Sequence, residues 1–293
     1  MMTKKTAALV LSSGGARGVA HIGVIEGLLE EGYEIKSIAG SSMGAVVGGV
    51  FAAGKLPEFK EWVCNLDKID VFKLMDFTLS TQGFVRGDRV FNEMKAFIPD
   101  CDIEDLQIPF AAVATDIVNK QEVVFKSGSL FKALRASAAI PSVLKPSMVE
   151  GIELVDGGVL NPIPIAYVKQ SACDVVVVSD VNAAVPCMLK EQEQTLIEEK
   201  GRFAPLIEKW NSFFPKNSTK QKRLSYFELV VKSVDLMQDR ISEYIIEHSQ
   251  PDVVVRISRE TCGMFEFYRS KELIDCGKQE FHKSLKDALQ RSE

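Results

Sequence analysis

The stretch Ile38–Ala45, "IAGSSMGA", runs from apolar residues into two serines boxed by glycines, then returns to small apolar residues. Three local structures make such a pattern: a phosphate-cradling loop, a dinucleotide fingerprint, or a sharp strand-to-helix turn that lifts a nucleophile. A phosphate loop needs Gly-Lys-Ser/Thr so that an ammonium reaches the phosphates, and here Gly44 is followed by Ala45. A dinucleotide fingerprint could use Ser13–Gly18, "SGGARG", but it requires an acid at the end of the second strand to hold the ribose. That strand ends in Gly40-Ser41, and the fingerprint's first glycine is Ser13. The third structure fits, because Gly40-Ser41-Ser42-Met43-Gly44 is G-x-S-x-G between a strand and a helix. Larger side chains two positions either way from Ser42 would collide with the neighbouring strand and helix. The turn raises the Ser42 hydroxyl at a helix N-terminus, where partial positive charge favours a developing oxyanion.

Outward from this turn the pattern is strand, glycine loop, helix, strand, turn, helix, the signature of a parallel sheet with covering helices. Thr6–Leu11 reads as a buried strand, Gly14–Gly18 as a loop, and Val19–Glu31 as a helix stopped by Gly32. Ile35–Ala39 is the second strand and Met43–Ala53 the second helix, ended by Gly54. Further strands are expected at Phe110–Thr115, Val123–Phe125, Glu153–Val155, Val175–Ser179 and Val253–Ile257. The runs "VVVVSD" and "DVVVRI" are apolar on both faces, as central parallel strands are. Helices are expected at Gly87–Phe97, Ser129–Ala136, Pro164–Gln170, Leu224–His248 and Lys271–Leu289. Pro186–Arg223, polar, charged and Pro-interrupted, reads as an insertion or cap rather than a linker.

At 293 residues the chain can bury a substantial core. A formal net charge of −5 gives no electrostatic case for nucleic acid as a partner. Six cysteines without a C-x-x-C pair or zinc-spaced histidines read as reduced thiols and exclude a recognisable metal cluster. The N-terminal apolar run Ala7–Leu11 is too short for a signal peptide, whose apolar core needs about 7–15 residues. The Ile38–Gly54 segment is glycine-interrupted and shorter than the ~20 residues of a spanning helix. The expectation is a cytoplasmic chain with at most peripheral membrane contact.

An activated serine needs a base. Only His21, His248 and His282 are present. The α/β-hydrolase order Ser, acid, His could use either late histidine, but that fold places several strands before the elbow and only two fit before Ser42. His248 and His282 also fall on helices where solvated side chains are expected. The remaining candidates are acids at strand ends: Asp116, Asp156 and Asp180. Asp116 and Asp180 read as caps or turn formers. Asp156 stands out because Gly157 and Gly158 permit close backbone approach, although a carboxylate helping a glycine turn is the plainer reading.

Four blocks, "SGGARG" (13–18), "GSSMG" (40–44), "ASAAIP" (136–141) and "DGG" (156–158), agree in order and spacing with one family. The chain resembles the patatin-like phospholipases, specifically their compact bacterial members. The resemblance implies a single α/β domain spanning residues 1–293, a three-layer α/β/α fold with a mainly parallel central sheet. It implies a Ser–Asp dyad in which Ser42 is the nucleophile and Asp156 the base. An oxyanion hole would come from the backbone N–H groups of Gly14, Gly15 and Ala16. Arg17, Gly18, Gly40, Gly44 and Gly157 support the motifs, and no cofactor or metal is implied. The departure is Ser13, where the family usually carries a third glycine.

The activity so implied is hydrolysis of fatty-acyl esters of phospholipids or lysophospholipids. A short-chain esterase or acyltransferase with the same dyad, or a non-catalytic scaffold, are the competing readings. Arg17 reads as loop fixation, a carboxylate partner or a head-group contact, and His21 as a packed core histidine. The "ASAAIP" block reads as site wall. Phe203, Leu206, Ile207, Trp210, Phe213 and Phe214, with nearby lysines, could lie on a lipid surface or pack on their own domain. Leu224–His248 reads as core or as acyl-pocket wall.

Overall fold

A computed structural model describes residues 5–75, 77–80, 83–85, 87–141, 143–170, 173–187 and 226–291. In chain order the elements are β1 (Thr6–Leu11), a 3-10 turn (Gly15–Val19), α1 (Ala20–Glu30), β2 (Glu34–Ser41), α2 (Met43–Ala52), α3 (Leu56–Cys64) and α4 (Lys68–Leu74). There follow β3 (Phe77–Ser80), β4 (Gly83–Val85), α5 (Asp88–Met94), β5 (Phe110–Asp116), β6 (Gln121–Phe125) and α6 (Leu130–Ser137). The rest are β7 (Ser147–Val149), β8 (Ile152–Asp156), β9 (Val175–Ala183), α7 (Tyr226–Ser249), β10 (Val253–Ser258) and α8 (Ser270–Arg291).

The main sheet has the order β10-β9-β1-β2-β5-β8-β7, with β6 paired to β5. From β10 to β5 every pairing is parallel, and around β5 to β8 the pairings are antiparallel. Parallel neighbours need long crossovers, such as α1 between β1 and β2, whereas antiparallel ones close through short turns. The Glu150-Gly151 turn between β7 and β8 has φ of 51° and 82°, the positive angles that hairpin turns use. The fold is therefore α/β, with a mixed, mostly parallel sheet.

Alternation along β1 separates two cores. Ala7, Leu9 and Leu11 pack with α1, α2 and α8 on one face. Ala8 and Val10 pack on the other with Ile163, Ile165, Val168 and Ile246 of α7. The result is three layers with unequal covers. Helix α1 lies against α8 so closely that a Cβ at Gly23 would strike the Ile274 carbonyl, and one at Gly277 the Ala20 carbonyl.

The Pro164–Gln170 helix does not form. Only a short 3-10 turn, Ile165–Tyr167, appears there. Pro162 and Pro164 remove amide donors, and the segment instead lays Ile163, Ile165 and Val168 across the sheet. The second correction concerns α7: Val230, Met237 and Tyr244, expected to be buried, are exposed, and Ile246 carries its contact with the sheet. The insertion expected at Pro186–Arg223 lies, from residue 188 on, outside the described residues, as do its apolar and basic side chains. No described helix is long and apolar enough to cross a membrane. The six cysteines are free.

Candidate active site

Strand β2 runs into Ser42, which has φ 54° and ψ −125°, and α2 starts at the next residue. A non-glycine residue at positive φ is strained, and such strain persists only where the surroundings hold it. Here the surroundings are backbone. A Cβ at Gly40 would meet the Gly44 carbonyl and the Ala45 nitrogen, and one at Gly44 would meet the Leu11 and Ser12 carbonyls. The two glycines let α2 start directly over the end of β1. The Ser42 amide donates to Ser137 Oγ at 2.9 Å.

Asp156 ends β8, in register with Ala114 of β5. Ser42 Oγ donates to its Oδ2 at 2.5 Å, and the Gly158 amide donates to its Oδ1 at 2.7 Å. Gly157 lies so close to β5 that a Cβ there would meet the Val113 carbonyl. Both side chains are buried. Burial pushes the Asp156 carboxyl up to about 6, against the opposing pull of the hydrogen bonds from Ser42 and Gly158.

The glycine loop leaves β1 at the end of the sheet where the elbow leaves β2, since the two strands run parallel with Leu11 opposite Gly40. The amides of Gly14 and Gly15 donate to no acceptor among the described residues, whereas the Ala16 amide donates to the Met264 carbonyl at 2.8 Å. As the loop stands, two of the three expected donors are open and Ala16 is engaged. Ser13 has no positive φ, so the missing glycine imposes no strain there. Its amide donates to the Pro162 carbonyl and its carbonyl accepts from Asn182 Nδ2. Arg17 is buried and pairs with no carboxylate at hydrogen-bond distance among the described residues. It donates to Asn182 Oδ1 and the Cys262 carbonyl, which makes it a fixing residue for the loop. Gly18 packs against Met43, with no room for a Cβ.

The other candidates sit elsewhere. Asp116 accepts from the amides of Val118 and Asn119, as a turn former does. Asp180 accepts from the Asn182 amide and is raised to about 6 by burial. His21 is fully buried between Ser179 Oγ and the Ser12 carbonyl, and burial lowers it to about 4, so it stays neutral. His248 contacts its own helix at the Tyr244 carbonyl, and His282 faces Glu30 and Glu31. None of the three histidines bonds to Ser42 or Asp156.

A cavity opens at Ser42 and Gly15, and the rest of its lining is apolar. Phe59 and Trp62 of α3, Leu74 of α4, Phe91 and Met94 of α5, and Met264 are among its walls. The sequence pattern gives the α5 side of this wall, expected as Gly87–Phe97, but no helix over residues 56–74, where α3 and α4 stand. A signal existed: Leu56, Phe59 and Val63 share helical spacing, and Asp67 and Asp70 form a capping box. Helix α7, expected as core or as acyl-pocket wall, contributes no described residue to this lining. It reaches the site from behind, where Gln238 Nε2 donates to the Gly158 carbonyl at 2.9 Å.

Such an arrangement, a hydroxyl donating to a buried carboxylate beside open amides and an apolar cavity, is equipped to attack an acyl carbonyl. It belongs to the class of α/β proteins with a serine elbow. Residues 9–169 match the patatin-like phospholipase family profile. The chain belongs to that family. An uncharacterized NTE family protein of Mycobacterium tuberculosis is 32% identical over 92% of this chain and 89% of its own length. Lysophospholipase NTE1 of Kluyveromyces lactis is 26% identical over 97% of this chain, which spans 19% of that protein. Among solved structures, VipD from Legionella pneumophila superposes with a TM-score of 0.49 at 13% identity, covering 97% of this chain and 67% of that one.

Proposed function

We propose that this protein is a serine acyl hydrolase for fatty-acyl esters of lysophospholipids and phospholipids, with Ser42 as nucleophile and Asp156 as general base. The observation that carries the reading is the Ser42 Oγ to Asp156 Oδ2 hydrogen bond, 2.5 Å long and opening onto an apolar cavity. Ser42 Oγ attacks the ester carbonyl as its proton passes to Asp156. The amides of Gly14 and Gly15 donate to the oxyanion, each such donor being worth roughly 3–4 kcal/mol. Collapse expels the alcohol, which takes the proton from Asp156 and leaves an acyl-Ser42 ester. Water then gives a proton to Asp156 and attacks the ester. The fatty acid leaves as Ser42 recovers its proton.

A carboxylate of ordinary pKa is a weak base, and the value of about 6 brings Asp156 nearer to neutral pH. The apolar walls suit a fatty-acyl chain rather than a short acid. The lysophospholipase named among the relatives supports the same substrate class.

The test compares wild type, Ser42→Ala and Asp156→Asn for release of fatty acid from lysophosphatidylcholine and for labelling by a fluorophosphonate. The wild type is expected to be active and labelled, and both variants to lose about 10³-fold or more in rate while keeping their near-UV circular dichroism. Persistent labelling of Ser42→Ala would remove the nucleophile assignment. A p-nitrophenyl ester series with its optimum at acetate or butyrate would replace the lipid substrate with a small ester.

A further inference from the structure

Ser137, the last residue of α6, is wholly buried. A serine in a helix ordinarily returns its hydroxyl to a carbonyl one turn back. This one leaves its helix. It accepts from the Ser42 amide at 2.9 Å and donates to the Val113 carbonyl at 2.6 Å. Ser41 pairs with Val113 as the last step of the β2–β5 ladder. The turn to φ 54° takes Ser42 out of that ladder, and the Ser137 hydroxyl stands between the ladder's end and the displaced amide.

Two residues further on, the Ala139 carbonyl accepts from the Asp156 amide at 2.9 Å. One short turn therefore holds the backbone nitrogens of both hydrogen-bonded partners, which come from β2 and from β8. Of that turn only Ala138 lines the cavity.

We infer that Ser137 is a positioning residue for the nucleophile, its hydroxyl fixing the Ser42 elbow against β5 so that Ser42 Oγ stays on Asp156. The inference rests on the Ser42–Asp156 reading of the site. Its consequence is specific to the chemical step. A displacement of the attacking oxygen of order 1 Å costs on the order of 100-fold in rate, while the acyl cavity is left as it was.

The experiment measures kcat, KM and the fluorophosphonate labelling rate for Ser137→Ala and Ser137→Cys beside Ser129→Ala. Ser129 caps the other end of the same helix, accepting from the Lys132 amide, and is not among the residues that line the cavity. Ser137→Ala is expected to lose about 10–100-fold in kcat and labelling with KM within about twofold. The acid limb of its pH profile should move upward, because the Ser42 bond that holds Asp156 down is loosened. Ser137→Cys keeps the side-chain outline with a weaker hydrogen-bonding atom and should fall between. Ser129→Ala should lower Tm and leave kcat intact. Wild-type labelling rates in Ser137→Ala or Ser137→Cys overturn the inference, as does a kcat loss in Ser129→Ala that parallels its Tm. A wild type that is never labelled overturns the Ser42–Asp156 reading first, and this inference with it.

Discussion

The Asp156 site favours the neutral carboxyl, since burial outweighs the two hydrogen bonds that the ionised form accepts. The folded protein binds this proton more tightly than the unfolded chain, whose carboxyl has an ordinary value of 3.8. The sign follows: the contribution to stability is full below about pH 4 and is lost as pH rises through about 6. About two pH units correspond to roughly 3 kcal/mol. Asp156→Asn should therefore be the more stable protein at pH 7, by a Tm gain of several degrees that shrinks at pH 4, while losing the activity proposed for the wild type. Equal melting of the two proteins at pH 7 would refute the raised carboxyl. Because only the ionised form takes a proton, wild-type kcat/KM should climb through about pH 6. Gly44→Ala belongs to the same scale. Its methyl would strike two backbone carbonyls, so urea unfolding should show a loss of about 2 kcal/mol or more together with failed labelling.

Helices α3, α4 and α5 wall the cavity, and on the proposed reading that wall sets the acyl-chain length. Met94 is buried and lines the cavity. Met94→Trp fills part of that space, so the p-nitrophenyl ester optimum should move to shorter chains, with little change in the rate for acetate. An unchanged chain-length profile would place the acyl group elsewhere. Of these, α5 was expected from the sequence, whereas α3 and α4 were not. With 9 and 7 residues those two span about two turns each, and periodicity over so short a run is weak. Pro164–Gln170 fails for the opposite reason. Its apolar spacing imitates a helix, but with the prolines present only the 3-10 turn Ile165–Tyr167 forms, and the sheet face gives Ile163, Ile165 and Val168 somewhere to go.

Across the whole molecule, α7 joins the far face of the sheet to the site. Arg259, after β10, ion-pairs with Asp235 at 2.9 Å and with Asp239, both on α7. Its Nε donates to the Asn182 carbonyl, and the Asn182 side chain holds Ser13 and Arg17 of the glycine loop. The ion-paired side chains are about a quarter exposed, so the Coulomb gain is partly screened. Arg259→Ala should cost about 1–3 kcal/mol in urea unfolding and slow labelling severalfold by loosening the loop. Loss of stability with full labelling would uncouple α7 from the loop.

The sequence by itself determined the serine elbow, the glycine loop and the buried strands of the parallel core. Each is written in neighbouring residues: small ones where backbones touch, apolar ones where both faces are covered. Only the tertiary structure decided that Asp156 meets Ser42, that Ser137 holds the elbow, that Met264 engages the Ala16 amide and that α3 to α5 wall the cavity. Those contacts join residues far apart along the chain, and their geometry is set by how strands and helices pack, which no local pattern encodes.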